Sequence, residues 1–446
     1  MTAEIAVLNK EAVALAADST ATAYIQSDSI IGDYNPKMFK VDKVFSLGTK
    51  HAVGIMTYGS GMFMGIPWGT IIKVYKERLP DKSKKYLKDY AEDFLCFLEE
   101  AKMIPQKQQE DTFKEIIRRF YNFILEDLLT EFEDRIETED KPIDIDSIKA
   151  ITNKYVDNIY DLMKKSPNLP QLGPKDDFEQ CLEDTYPHVY EKLITDVFEK
   201  FAQEILTESQ KVKLYSCATY LFTKDTGELY LEYDSPNAVD RMDSEVESSG
   251  IIIAGFGDLE VFPSIRSYRV IGQFASRINY VLEEQEDIGF DNRSQILSFA
   301  QNDIIERFVT GIDDKFQLEV LPKFRAAFDS SFGKGFPKDS RRYQLSKIIS
   351  ELPNNLRDKL KGLLSDWLFY IINQRGNRLK SEILEIVELL PKQELALLAE
   401  NLLSVTALAR RVSSSEETVG WPIDVAVISK GEGFVWIKKK NHYENE

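Results

Sequence analysis

The chain of 446 residues has few of the residues from which metal sites, disulfide frameworks and histidine-dependent catalytic triads are built. Its three cysteines, Cys96, Cys181 and Cys217, are an odd and widely spaced set that lacks the paired spacing of a zinc site. We expect buried, reduced thiols instead of disulfides. With only three histidines, a histidine-rich metal site or a Ser-His-Asp triad is disfavoured. The sequence predicts no metal site and no cofactor.

Long apolar runs and an excess of positive charge are also missing. No apolar run reaches the length of a membrane span, and the first residues lack the basic segment and apolar region of a signal peptide. Lys plus Arg number 56 and Asp plus Glu number 74, which gives a net charge of −18. This charge opposes attraction to nucleic acid and to anionic membranes. We therefore expect a cytoplasmic protein whose partners are neither nucleic acid nor membrane.

Strand patterns occur in three parts of the chain, and helical patterns separate them. Apolar residues recur at helical spacing from about residue 71 to 210, whereas residues 212–222 and 251–254 have strand character. Helix is predicted again from about 263 to 412, before a closing hairpin formed by 423–429 and 433–438. Strands that are distant in sequence can share a sheet, so this order predicts an α+β fold with helices covering a pair of sheets.

Five segments follow from this pattern. They are a first part of a core (2–70), a helical insertion (71–210), a second part of the core (211–262), a second helical insertion (263–412) and a closing hairpin of the core (413–440).

The first eighteen residues have the pattern of a hairpin that carries the beginning of the chain into a sheet. Residues 5–8 and 12–16 are strand candidates, a polar turn joins them, and Asp18 ends the second strand. Removal of Met1 would make Thr2 the first residue. A fixed threonine at that place combines a nucleophilic hydroxyl with its own base, the α-amine, which titrates near pH ~7.7 to 8.0. Taken alone, these residues also fit an ordinary terminus and a turn-forming acid.

Several motifs resemble the proteasome β subunits and the bacterial HslV peptidase. The run Ala-Ala-Asp-Ser-Thr-Ala-Thr at 16–22 is similar to the family signature, and Asp18 lies sixteen positions after Thr2, as in the family. Residues 43–47 resemble the family's lysine strand, and 53–61 resemble the strand and small-residue turn that follow. The resemblance continues weakly at 251–257 and at 419–427, the latter as in Anbu proteins. It covers about a third of the chain.

The resemblance implies a four-layer αββα sandwich of the N-terminal-nucleophile hydrolases, with extended helical insertions, and a threonine-type peptidase activity. It implies that Thr2 is the nucleophile and that Asp18 holds a lysine beside it. A lysine there would lower the pKa values of the amine and hydroxyl and stabilise the oxyanion. Lys43 is preferred for this role because its distance to residue 54 matches the family, but Lys37 stays an alternative. Gly59 would supply the oxyanion amide.

Two departures from the family pattern concern its supporting polar residues. Phe256 stands where the family usually has a serine, and Glu416 and Val419 stand at the positions of an aspartate and a serine. Glu416 is therefore only a weak candidate for the site. These changes keep open a catalytically weak or inactive scaffold that binds partners, and a small-molecule amidohydrolase on the same fold.

The family also suggests partners. A peptidase of this kind would act on a polypeptide substrate, and it could assemble as a homo-oligomer and work with an ATP-dependent unfoldase. Ring contacts in the family run through helical layers that are rebuilt in this chain, so a different oligomer or none is also open.

Overall fold

The structure, a computed structural model, describes residues 3–26, 34–139, 144–169, 175–226, 248–300, 303–311, 323, 353–412 and 420–440. These residues form helices and open antiparallel sheets, so the chain is a mixed α+β protein. The predicted α+β class is confirmed.

The described residues contain fourteen strands, most of them short. They are β1 (Ala3–Asn9), β2 (Ala12–Asp18), β3 (Thr20–Gln26), β4 (Tyr34–Lys40), β5 (Val44–Ser46), β6 (Val53–Gly59), β7 (Met62–Phe63), β8 (Ile66–Pro67), β9 (Ser249–Gly255), β10 (Ser264–Phe274), β11 (Arg277–Asp287), β12 (Ser294–Ala300), β13 (Ile423–Ser429) and β14 (Gly433–Lys438). They form two five-stranded sheets, with the orders β12-β1-β2-β13-β14 and β11-β10-β9-β6-β5, and the two-stranded sheets β3-β4 and β7-β8.

Ten helices lie in the described ranges, and seven of them are consecutive in the chain. They are α1 (Trp68–Arg78), α2 (Leu87–Glu100), α3 (Gln106–Glu139), α4 (Ile145–Lys165), α5 (Lys175–Thr185), α6 (Val189–Glu204), α7 (Glu208–Thr223), α8 (Asp303–Thr310), α9 (Asn354–Leu389) and α10 (Lys392–Val412). None of these ten combines the length and the apolar character that a membrane crossing requires.

The first of two compact units consists of Met1–Tyr58, Ala254–Ser264 and Glu286–Glu446 and is built around the sheet β12-β1-β2-β13-β14. Strands β1, β2 and β13 are buried along their whole length, which requires cover on both faces of the sheet because side chains alternate between them. On one face, alternate residues such as Ile5 and Ala14 pack against apolar side chains of α8, α9 and α10.

The opposite face of this sheet lies against β6. A Cβ atom added at Gly54 would lie 2.9 Å from Ile428 Cδ1 and 2.9 Å from the ring of Phe434. Glycine therefore permits a close approach of β6 to the β13–β14 hairpin. Within this unit the layers follow in the order helices, sheet, and strands of a second sheet.

The second unit consists of Gly59–Ile253 and Ile265–Gln285 and contains helices α1 to α7. Its core is rich in aromatic side chains. The ring of Phe113 lies 4.4 Å from that of Tyr186, 4.4 Å from that of Phe222 and 5.5 Å from that of Tyr190, measured between centroids. The long helical region of the sequence thus has a hydrophobic core of its own.

Residues 212–222 belong to helix α7, so the strand prediction for them is wrong. Their valine, threonine and aromatic residues favour strands in isolation. Every residue from Cys217 to Thr223 is buried, so the end of this helix is enclosed on all sides and packing outweighs the local preference. Thr207 and Gln210 form a capping box in front of the helix, and this cap was the sequence signal that the strand prediction overlooked.

The helix predicted from residue 263 is also wrong over its first part, where β10, β11 and β12 lie. Two residues, Ala275 and Ser276, connect β10 to β11, and both have positive φ (46° and 63°). Such a turn usually contains Asn or Gly, so its sequence signal is missing here. Tertiary contacts hold it instead, because Tyr186 Oη accepts from Ala275 N and Gln109 Oε1 accepts from Ser276 N.

Candidate active site

The β1–β2 hairpin is anchored at its turn. Asn9 Oδ1 accepts hydrogen bonds from the backbone N–H groups of Glu11 (2.9 Å) and Ala12 (3.2 Å), an Asx turn. Its Nδ2 donates to the carbonyls of Val387 (3.0 Å) and Leu390 (2.8 Å) at the end of α9, where helix carbonyls lack intrahelical partners. The turn of the hairpin is thereby attached to the end of α9.

Thr2, the predicted nucleophile, lies outside the described residues. Ala3, which follows it directly, is buried, and its backbone N donates to Asp18 Oδ1 over 3.1 Å. The hairpin register explains this contact, because Glu4 pairs with Ala17 and the next positions outward are 3 and 18. Asp18 therefore fixes the backbone immediately after Thr2.

The carboxylate of Asp18 is buried and fully engaged. Besides Ala3 N, the backbone N–H groups of Thr20 (3.2 Å) and Gly420 (3.4 Å) donate to it, both at Oδ2. The ammonium of Lys43 contacts Oδ1. Four donors from four parts of the chain thus compensate one buried negative charge.

Lys43 is the lysine that contacts Asp18. It lies just before β5, its side chain is only 5% exposed, and its ammonium lies 3.1 Å from Glu4 Oε1 as well as beside Asp18 Oδ1. Lys37 lies in β4, opposite Ala23 of β3, and its side chain is outside the description. The catalytic role of either lysine stays a prediction.

Glu4 is a member of this cluster that the sequence interpretation missed. It is the one acid in the strand Ala3–Asn9, where the residues from Ile5 to Leu8 are apolar, and it is fully buried. A buried carboxylate needs a partner to offset its lost hydration, and the ammonium of Lys43 provides one. An acid inside a strand that is buried on both faces was the sequence signal for such a partner.

Glu4, Asp18 and Lys43 together bring two carboxylates and one ammonium into a buried cluster. When all three are ionised, the cluster is negative by one charge.

Gly59, the predicted oxyanion donor, ends β6 in a conformation that favours glycine. Its φ is 73°, and a Cβ atom there would lie 2.7 Å from the carbonyl oxygen of Ser248. Both facts require glycine at this turn. They do not depend on catalysis, so its role as an oxyanion donor stays a prediction.

Phe256 stands in the turn directly after β9. Phe256 is buried, its backbone N donates to Ala52 O over 2.8 Å, and Gly255 before it has φ 138°. Glu416 and Val419, the other two departures from the family pattern, lie outside the described residues.

All three cysteines are free thiols, but only Cys217 is buried, so the expectation of buried thiols is wrong for Cys96 and Cys181. Both of those lie on exposed positions of amphipathic helices. Burial raises the pKa of the Cys217 thiol to about 12, and desolvation together with a hydrogen bond to Glu100 raises the pKa of Cys96. Neither thiol is thus activated as a nucleophile near neutral pH.

Compared with known proteins, the chain matches no protein-family model and no curated protein.

Proposed function

We propose that the protein is a threonine-type N-terminal-nucleophile hydrolase of the proteasome class that cleaves amide bonds of polypeptides. The observation that carries this proposal is the buried contact of Lys43 with Asp18, the same carboxylate that holds the backbone of Ala3 directly after Thr2. A base, an orienting acid and a cation beside one hydroxyl are the requirements for acyl transfer by such a nucleophile.

The reaction would proceed in two halves. The hydroxyl of Thr2 attacks the substrate carbonyl while its α-amine takes the hydroxyl proton. The tetrahedral adduct then collapses, the C–N bond breaks, and the ammonium returns that proton to the leaving amine. Water, activated by the same amine, hydrolyses the resulting ester and regenerates Thr2. Lys43 would stabilise the negative charge that develops in both halves.

The contact of Asp18 with the start of β1 also supports this proposal. Removal of Met1 would free the α-amine of Thr2, one residue before Ala3, whose backbone N donates to Asp18 Oδ1. Processing would then supply the base next to the residue that Asp18 holds.

The layering of the first unit supports the four-layer αββα architecture as the finer fold. Helices α8 to α10 cover one face of the sheet that contains β1 and β2, and β6 approaches the other face through Gly54. A sandwich of this class contains such a helix–sheet–sheet succession. We also propose a homo-oligomer, which mass photometry tests, and an ATP-dependent unfoldase as its partner.

Intact mass and active-site labelling test the function. We expect purified protein to lack Met1 and to bind one threonine-reactive β-lactone per chain. Thr2→Ala should abolish labelling, whereas Thr49→Ala, which changes an exposed threonine, should not. Fully active protein that retains Met1 or is acetylated at Thr2 would contradict the mechanism.

Phe256 favours a second candidate, an inert scaffold of the same fold. Its buried ring occupies a turn where the family usually has a supporting serine. In that case Thr2→Ala should leave the cellular function unchanged and no peptide should be cleaved. A substrate screen that finds small amides but no peptides would instead indicate an amidohydrolase.

A further inference from the structure

Lys440, near the end of the described chain, is buried. It follows β14, and its side chain is only 2% exposed, although lysine is almost never fully buried without a partner. The two lysines before it, Lys438 and Lys439, are both exposed. The burial of Lys440 therefore calls for specific partners.

Those partners are two carboxylates and a backbone carbonyl. The ammonium of Lys440 lies 3.2 Å from Asp424 Oδ2 and 3.2 Å from Asp42 Oδ1, and it donates to the carbonyl oxygen of Val41. The backbone N of Lys440 donates to Asp424 Oδ1 over 2.8 Å. Asp424 is itself buried in β13, so Lys440 is fixed at both its backbone and its ammonium.

The carbonyl that Lys440 binds belongs to the short segment that carries Lys43. Residues 41–43 connect β4 to β5 without regular structure, so no sheet ladder satisfies their backbone groups. Val41 N donates to Ser19 O (2.9 Å), and Thr57 N donates to Lys43 O (2.8 Å). Lys440 adds a third attachment, at Val41 O, two residues before Lys43.

This attachment matters for the ammonium of Lys43, which must reach Asp18 and Glu4 from an irregular segment. Displacement of a positioning group by about 1 Å can cost roughly 100-fold in rate. We propose that Lys440 is a positioning residue that fixes the 41–43 segment and thereby holds Lys43 against Asp18. The catalytic consequence of this inference rests on the proposed function, but the placement of Lys43 does not.

The test uses Lys440→Met in the full-length protein, with Lys439→Met as the matched exposed control. The first measurement is the acetylation rate of Lys43 in folded protein, followed by mass spectrometry. Loss of the attachment should allow local opening and raise this rate about 10-fold in Lys440→Met. The rate should not change in Lys439→Met. Lys224, buried in the second unit with its ammonium bound to the carbonyls of Lys164 and Ser166, serves as the internal reference and should stay protected.

The second measurement is β-lactone labelling of Thr2, separated into probe affinity and inactivation rate constant. We expect the rate constant per folded site to fall roughly 10- to 100-fold in Lys440→Met while the affinity stays within about twofold. Loss of folded protein alone would lower the labelled fraction and leave the rate constant unchanged.

Unchanged acetylation of Lys43 in folded Lys440→Met would overturn the proposal, whatever the labelling shows. If the wild type is not labelled but Lys43 acetylation rises in Lys440→Met, the hydrolase function fails and the positioning of Lys43 stands. If Lys440→Met does not fold, Lys440→Gln replaces it, because its amide keeps a donor without the charge. The acetylation rate of Lys43 and the inactivation rate constant at Thr2 then test the proposal in the same way.

Discussion

Lys43 contacts two buried carboxylates, so its loss should affect folding as well as catalysis. Lys43→Met leaves Glu4 and Asp18 without their ammonium. We expect the free energy of unfolding to fall by ~3 to 5 kcal/mol, the usual cost of removing one partner of a buried ion pair. Urea denaturation followed by circular dichroism measures it.

The control for that variant is Lys438→Met. Lys438 contacts Glu400 with its side chain about half exposed (48%), so we expect a change within ~1 kcal/mol. Equal losses in the two variants would show that the buried cluster contributes no more than a surface pair.

Asp18 accepts hydrogen bonds at both carboxylate oxygens, and this predicts the effect of its amide variant. Three backbone N–H groups donate to it as well as Lys43, so the amide nitrogen of Asp18→Asn would face a donor in either orientation. We expect Asp18→Asn to lower the free energy of unfolding by ~1 to 3 kcal/mol, the cost of a buried group left unsatisfied. Urea denaturation measures it, and an unchanged midpoint at equal slope would contradict the prediction.

Among the elements, the β1–β2 hairpin depends on one turn residue. Asn9 makes both the Asx turn and the contacts to the end of α9. Asn9→Ala should lower the unfolding free energy by ~1 to 3 kcal/mol and speed amide hydrogen exchange in β1. Glu11→Ala, at an exposed position of the same turn, is the control and should leave exchange unchanged.

The approach of β6 to the closing hairpin depends on the missing side chain of Gly54. A methyl group there would lie 2.9 Å from Ile428 Cδ1 and from the ring of Phe434. Gly54→Ala should destabilise the protein by ~1 to 3 kcal/mol through overpacking. Gly431→Ala should have little effect on stability, because a Cβ atom added there would have no neighbour within 4 Å. Adding Ile428→Val to Gly54→Ala removes the crowded Cδ1 atom and should recover part of the lost stability. Thermal unfolding gives all three values.

At the scale of the whole molecule, each compact unit has a hydrophobic core of its own, with Phe113 in one and Leu403 in the other. A chain of this kind is not expected to unfold in one two-state step, so the unfolding free energies of the variants above refer to the transition of the first unit, to which all of them belong. Phe113→Ala should cost ~3 to 5 kcal/mol and Leu403→Ala ~2 to 5 kcal/mol, each in its own unit. Hydrogen exchange resolved by peptide tests this, and equal acceleration in both units by either variant would contradict it.

The sequence by itself determined the elements whose signals are local. The first hairpin, the closing hairpin at Ile423–Ser429 and Gly433–Lys438, and the acid at the end of β2 were predicted at or near their observed bounds. Alternating apolar residues and polar turns encode a hairpin within about twenty residues, so no distant contact is needed to recognise it.

Only the tertiary structure decided which side chains meet. The sequence preferred Lys43 over Lys37, but the contact of Lys43 with Asp18, the inclusion of Glu4 and the attachment of the 41–43 segment by Lys440 depend on residues that are up to 399 positions apart. Helix α7 and the turn at Ala275 and Ser276 likewise depend on packing that outweighs local preference. A buried charge or a strained turn is stable only when its partners are in place, and the pattern of residues along the chain does not identify those partners.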